Sequence, residues 1–143
     1  MNALAVLLAE DDAVTRLDLR RIVEQAGYRV CGETGDGRKA VAQALELRPD
    51  VIVMDVGLPG IDGVEAAREI GAGDPIPIVL LTGYGYGEVI ARAIDAGVSA
   101  FVTKPFRELE LLDAIRAALE PRHNPGLAYL QLASSRSRQS ANQ

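Results

Sequence analysis

Five short, nearly unbroken apolar runs punctuate this chain, and each is followed by a segment with helical spacing. Leu4–Ala9 runs solid until it meets Glu10-Asp11-Asp12. Val14, Leu17, Ile22, Val23 and Ala26 then recur at helical intervals as far as Gly27, a residue suited to closing a helix. Tyr28–Gly32 reads as a second strand. Arg38–Arg48 reads as a helix with Val41, Ala44 and Leu45 inward, stopped by Pro49. The run Val51-Ile52-Val53-Met54-Asp55 shows no polar alternation, so both of its faces must be covered. A turn at Gly57-Leu58-Pro59-Gly60 leads into a short helix over Gly63–Ile70. Beyond the Gly/Pro-rich stretch Gly71–Pro77, Ile78–Leu81 is a solid strand ending at Thr82. Glu88–Ala96 is helical and closed by Gly97, Ala100–Thr103 is the fifth strand, and Lys104-Pro105 ends it. The last helix, Arg107–Leu119, carries Leu109, Leu112, Ile115 and Leu119 as its stripe.

Strands that alternate with helices in this way predict a parallel sheet covered on both faces. Right-handed crossovers close it as a doubly wound, flavodoxin-like α/β fold of five parallel strands in the order 2-1-3-4-5. A chain of 143 residues can bury one sufficient core. Residues 1–120 form the expected domain and 121–143 a tail or linker, with Ser134–Gln143 too poor in apolar residues to order itself.

Composition removes several classes. Cys31 has no partner for a disulfide, and with His123 the only histidine a Cys/His zinc site is excluded. The amino terminus lacks a basic signal-peptide region, and no run approaches the ~20 apolar residues that span a bilayer, so the expected location is the cytoplasm, without membrane contact. All twenty acidic residues lie in residues 1–120, whereas the tail carries only Arg122, Arg136 and Arg138 as charges. So acidic a domain argues against nucleic-acid binding, and no helix-turn-helix or basic recognition helix follows residue 120 to encode DNA binding.

In a doubly wound sheet, ligands bind beyond the carboxyl ends of the strands. The residues there are Glu10 and Asp11 after the first strand, Asp55 ending the third, Thr82 after the fourth and Lys104 after the fifth. Crowded carboxylates repel one another unless a cation neutralises them. Oxygen donors without His or Cys suit Mg²⁺, which retains waters and accepts a phosphoryl oxygen. With Mg²⁺ and Lys104 neutralising charge, Asp55 can attack phosphorus, and Thr82 can donate to a phosphoryl oxygen. Lys39 and Lys104 are the only lysines among fifteen basic residues, so Lys104 at a strand end reads as a chosen point charge.

These segments resemble the receiver domain of two-component response regulators. The resemblance is carried by Val6-Leu7-Leu8-Ala9-Glu10-Asp11-Asp12, by Val53–Gly63 with its Asp55 and Pro59, by Leu80-Leu81-Thr82-Gly83, and by Ala96–Phe106 with its Lys-Pro end. It covers about residues 4–120. It implies that Asp55 is the phosphoacceptor, that Asp11 contacts Mg²⁺ directly and Glu10 through water, and that the backbone carbonyl of Gly57 is a further ligand. Lys104 would bind the phosphoryl group, with a cis Lys104–Pro105 peptide. Thr82 and Phe101 would form a switch pair in which the hydroxyl moves to the phosphoryl oxygen and the ring turns inward. The fourth helix, fifth strand and fifth helix would be the output face, open to a partner protein or to a second copy on phosphorylation. The implied donor is a sensor histidine kinase or a histidine phosphotransfer protein.

Tyr84, two residues past Thr82 in the Gly/Tyr-alternating loop Gly83–Gly87, stands where the family varies a side chain that tunes phosphoryl lifetime, and Gly57 offers no side chain to orient a hydrolytic water. Ordinary structural uses compete at each position. Asp12 and Asp36 read as helix caps, Phe101 fits a core, and Cys31 reads as a small buried apolar residue. Three other functions stand beside the stand-alone receiver. The chain fits the receiver piece of a longer regulator, including one with an RNA-binding antiterminator module. An aspartate-nucleophile phosphatase of the haloacid dehalogenase type needs a second carboxylate two residues on, where Gly57 stands. A flavin-binding flavodoxin-like protein needs a phosphate-cradling loop where this chain has carboxylates.

Overall fold

The computed structural model describes residues 3–83 and 87–120. Each solid apolar run is a strand: β1 is Ala5–Ala9, β2 Arg29–Thr34, β3 Val51–Asp55, β4 Ile78–Thr82 and β5 Ala100–Thr103. Between and after them lie α1 (Ala13–Gln25), α2 (Gly37–Leu47), α3 (Gly63–Gly71), α4 (Glu88–Asp95) and α5 (Glu108–Leu119). The strands form one parallel sheet in the order β2-β1-β3-β4-β5, the order expected of the sequence.

Alternation along each buried strand divides the core in two. Leu7, Ile52, Met54, Ile78, Leu80 and Phe101 face α2, α3 and α4, whereas Val6, Leu8, Val53, Val79, Leu81 and Val102 face α1 and α5. Burying each of these larger side chains stabilises the fold by about 1.5–3 kcal/mol before the ordering entropy is charged against it. The helix ends follow their caps. The side chains of Asp12, Asp36 and Asp62 accept from the backbone N–H groups of Thr15, Lys39 and Glu65. Gly27, at φ +97°, takes the left-handed position after α1, and Arg48, the C-cap of α2, takes it at φ +47°.

Three of the sequence stripes need correction. In α1 the buried residues are Leu19, Ile22 and Val23, while Val14 and Leu17 are 76% and 68% exposed. At about 100° per residue, Val14 and Leu17 lie on the face opposite Leu19. In α5 the buried set is Leu111, Ile115 and Ala118, and Leu109 lies opposite it at 72% exposure. In α2, Ala40 and Ala44 face the sheet and Leu45 turns out. Cys31 is half-buried, because β2 is an edge strand. The register between β1 and β2 shifts there: Val6 pairs with Val30 and Leu7 with Gly32, which leaves Cys31 as an extra residue. β2 itself lies two residues further along than expected at its carboxyl end. The tail, His123 included, lies outside the described residues.

Candidate functional site

Parallel register brings the carboxyl ends of β1, β3, β4 and β5 level. The Glu10 N–H donates to the Thr34 carbonyl (2.9 Å), the Val56 N–H to that of Leu81 (3.0 Å) and the Lys104 N–H to that of Thr82 (2.9 Å), so the pairing continues into the residues that follow the strands. Glu10, Asp11 and Asp55 thereby converge, with one oxygen from each lying within 4.8 Å of the others. Glu10 and Asp55 are buried and Asp11 is exposed, so the group is anchored inside and open outside.

One ammonium serves two of these acids. Lys104 Nζ lies 2.9 Å from Glu10 Oε2 and donates to Asp55 Oδ2 at 3.1 Å. Glu10 is fully buried; its Oε1 accepts from the Asp12 N–H at 3.2 Å, while Oε2 has the Lys104 charge beside it but no hydrogen bond of regular geometry. Burial, opposed by the Lys104 ammonium beside it and reinforced by the Asp55 charge, pushes the Glu10 carboxyl above its ordinary range. Burial by itself would lower the Lys104 ammonium, yet the Glu10 and Asp55 carboxylates beside it carry it above its ordinary value. The Lys104–Pro105 peptide is cis. Three carboxylates against one ammonium leave an excess of negative charge, and a buried carboxylate oxygen is left without a regular donor. That donor set is all oxygen, and it fits a hard divalent cation.

Thr82 ends β4, buried at the same rim. Phe101 is only 6% exposed and belongs to the α2–α4 side of the core, so its ring already points inward. Gly57 is exposed, and a Cβ added there would have Asp55 Oδ2 as its nearest neighbour at 3.8 Å, so the space above the acid is open. Tyr84 lies outside the described residues.

Two features of the site were not expected from the sequence. Arg16 Nη1 donates to the Glu10 backbone carbonyl at 2.6 Å, pinning the turn that presents the acidic pair. Nothing in a one-dimensional reading separates that arginine from its neighbours on α1. The second is a groove of about 1050 Å³ beside Lys104, lined by Val14, Leu17, Gly83, Pro105 and Phe106 among others. The angular position of Val14 and Leu17 opposite Leu19 was the signal for it.

This fold and rim of acids define a class. The family model for the response regulator receiver domain matches residues 6–116, and the chain belongs to that family. The chain is 43% identical over 114 residues to the transcriptional regulatory protein PdtaR of Mycobacterium tuberculosis, covering 80% of this chain and 56% of that protein. It is 37% identical to the chemotaxis protein CheY of Thermotoga maritima, over 77% of this chain and 92% of CheY. Among solved structures, a LuxR-family two-component response regulator from Aurantimonas sp. superposes with a TM-score of 0.81 at 34% identity, over 95% of this chain and 99% of that one. The chain thus spans about half the length of PdtaR. Among the described residues, no helix is long and apolar enough to cross a membrane.

Proposed function

We propose that Asp55 accepts a phosphoryl group from a phosphohistidine on a sensor histidine kinase or a histidine phosphotransfer protein. The observation that carries this reading is the convergence of Glu10, Asp11 and Asp55 within 4.8 Å beneath the single Lys104 ammonium. An Asp55 oxygen forms a bond to phosphorus as the P–N bond breaks, and the imidazole leaves with the bonding pair and takes up a proton. Asp11, Asp55, Glu10 and the Gly57 carbonyl would hold Mg²⁺. Bound there, the ion supplies positive charge to the carboxylates and to the phosphoryl oxygens. Lys104, already 3.1 Å from Asp55 Oδ2, would anchor the phosphoryl group, and Thr82, at the end of the neighbouring strand, would donate to a phosphoryl oxygen. Movement of Thr82 would be relayed through Phe101 to the α4–β5–α5 face, the output surface. Gly57 leaves room for water, and Tyr84 would set how much of it reaches the phosphoaspartate.

The groove between α1 and Pro105-Phe106 opens beside Lys104, which suits it to receive the apolar flank of a helix bearing the donor histidine. This reading makes the chain a signalling domain whose own chemistry is limited to gaining and losing the phosphoryl group, and it places the chain in the cytoplasm. A second reading, that the chain is the receiver part of a longer regulator, is favoured by its spanning only 56% of PdtaR.

Incubation with Mg²⁺ and acetyl phosphate, followed by intact mass, tests the acceptor. One added phosphoryl group is expected in the wild type and none in Asp55→Asn. Equal labelling of both proteins would remove Asp55 from the role.

A further inference from the structure

The structure assigns Gly37 a positioning role at the cation site, although it stands on α2, which contributes no residue to that site. The inference rests on the reading that Asp55 and the Gly57 carbonyl help hold Mg²⁺.

Between β3 and α3 the chain leaves Asp55, passes Gly57 and returns at Gly63. This loop is held at two places, across its ends and at its middle, by backbone approaches that exclude a side chain. At Gly63 the N–H donates to the Val56 carbonyl at 2.8 Å, and an added Cβ would lie 2.2 Å from the Asp55 carbonyl oxygen. That grip is local. The other comes from a different element: the Gly37 N–H donates to the Pro59 carbonyl at 2.9 Å, and a Cβ on Gly37 would lie 2.0 Å from the Ile61 carbonyl oxygen. Gly37 is the first residue of α2, directly after its cap Asp36. Asp36 sets the next contact, because a Cβ on Gly60 would stand 3.1 Å from its Oδ2.

The first turn of α2 is therefore the buttress against which the loop is set. A methyl at Gly37 meets backbone, which cannot rotate away as a side-chain tip can, so helix and loop must separate by about 1.4 Å to restore ordinary contact. Mg²⁺ demands near-ideal octahedral geometry, and the loop carries one proposed ligand two residues past the acceptor. Loss of groups that orient ligands typically weakens metal affinity by about 10–100-fold.

The test compares the full chain with Gly37→Ala. Calorimetric Mg²⁺ titration of the unphosphorylated protein is paired with urea unfolding in chelator and with the Mg²⁺ dependence of acetyl-phosphate labelling. The expected result is a Kd for Mg²⁺ raised about tenfold, with labelling recovered at saturating Mg²⁺. Gly73→Ala, where the nearest atom would be 3.8 Å away, should match the wild type. An unchanged Kd in Gly37→Ala, with or without lost stability, overturns the positioning role while leaving the cation site intact. Absence of Mg²⁺ binding by the wild type overturns the underlying reading as well. Should Gly37→Ala fail to fold, Asp36→Ala loosens the same first turn of α2 by removing its cap; a raised Kd there supports the role and a wild-type Kd refutes it.

Discussion

Replacing Lys104 by methionine keeps an unbranched stem of nearly the same reach and removes the ammonium, which isolates what that charge does for the carboxylates around it. Its Nζ lies 2.9 Å from Glu10 Oε2 and 3.1 Å from Asp55 Oδ2. At an effective dielectric constant of about 20, each contact is a gross attraction of about 5–6 kcal/mol. Much of that is offset by the hydration the ammonium gives up, and breaking a buried pair by removing one partner costs about 3–5 kcal/mol net. The Lys104 side chain is 27% exposed, which places the loss at the low end, about 3 kcal/mol. Glu10, fully buried, is then left with only the Asp12 N–H. With a urea m-value of about 1.5 kcal/mol/M for a domain of this size, the unfolding midpoint in chelator should fall by about 2 M. A divalent cation entering the same cluster replaces the missing charge, so excess Mg²⁺ should stabilise Lys104→Met more than it stabilises the wild type. Far-UV circular dichroism reads both effects, since the chain has no tryptophan. Equal midpoints in chelator, or a Mg²⁺ gain no larger in the variant, would refute the argument that Lys104 stands in for a metal charge.

The raised Glu10 carboxyl has a sign that can be checked. Because the folded state holds this proton more tightly, its contribution is fully present below the ordinary value of 4.5 and is lost as pH rises through the folded value. In chelator, therefore, the wild type should lose stability relative to Glu10→Gln as pH climbs from 4.5 towards neutrality; parallel profiles would contradict this. Ile52→Ala, in a fully buried central strand, should cost about 3–4 kcal/mol in urea unfolding, whereas Leu109→Ala, at 72% exposure, should change stability by less than about 0.5 kcal/mol. Charges placed in the groove by Val14→Asp and Leu17→Asp should leave acetyl-phosphate labelling unchanged but slow transfer from a phosphorylated histidine kinase by about tenfold or more. Equal slowing with both donors would assign the effect to the site rather than to docking.

Strand identity was legible because a parallel sheet buries both faces, and runs such as Val51–Asp55 have no other stable use. Strand ends were legible too, since Glu10, Asp55, Thr82 and Lys104 each interrupt an apolar run at its carboxyl end. Helix faces were less so. A run of apolar residues on a helix names a face only when their angles are added up, and Val14, Leu17 and Leu109 fail that sum by about half a turn. Arg16 and Gly37 could not be read at all. Their partners are backbone carbonyls brought close by the fold, at Glu10 for Arg16 and at Pro59 and Ile61 for Gly37, and sequence spacing does not encode such meetings.

The extra residue at Cys31 bears on how this molecule lives among its copies. A stack of solid apolar strands is a ready template for growth, and growth can only begin where an outer strand offers a flat, regular row of donors and acceptors. On the β2 side that row is broken: Cys31 falls out of step with β1, and Arg29 and Glu33 place charges along the same strand. The other border, β5, is only four residues long. An irregular border of this kind works against edge-to-edge pairing between copies of a sheet this apolar. Straightening it by deleting one residue would trade a local imperfection for a surface that recruits its own kind.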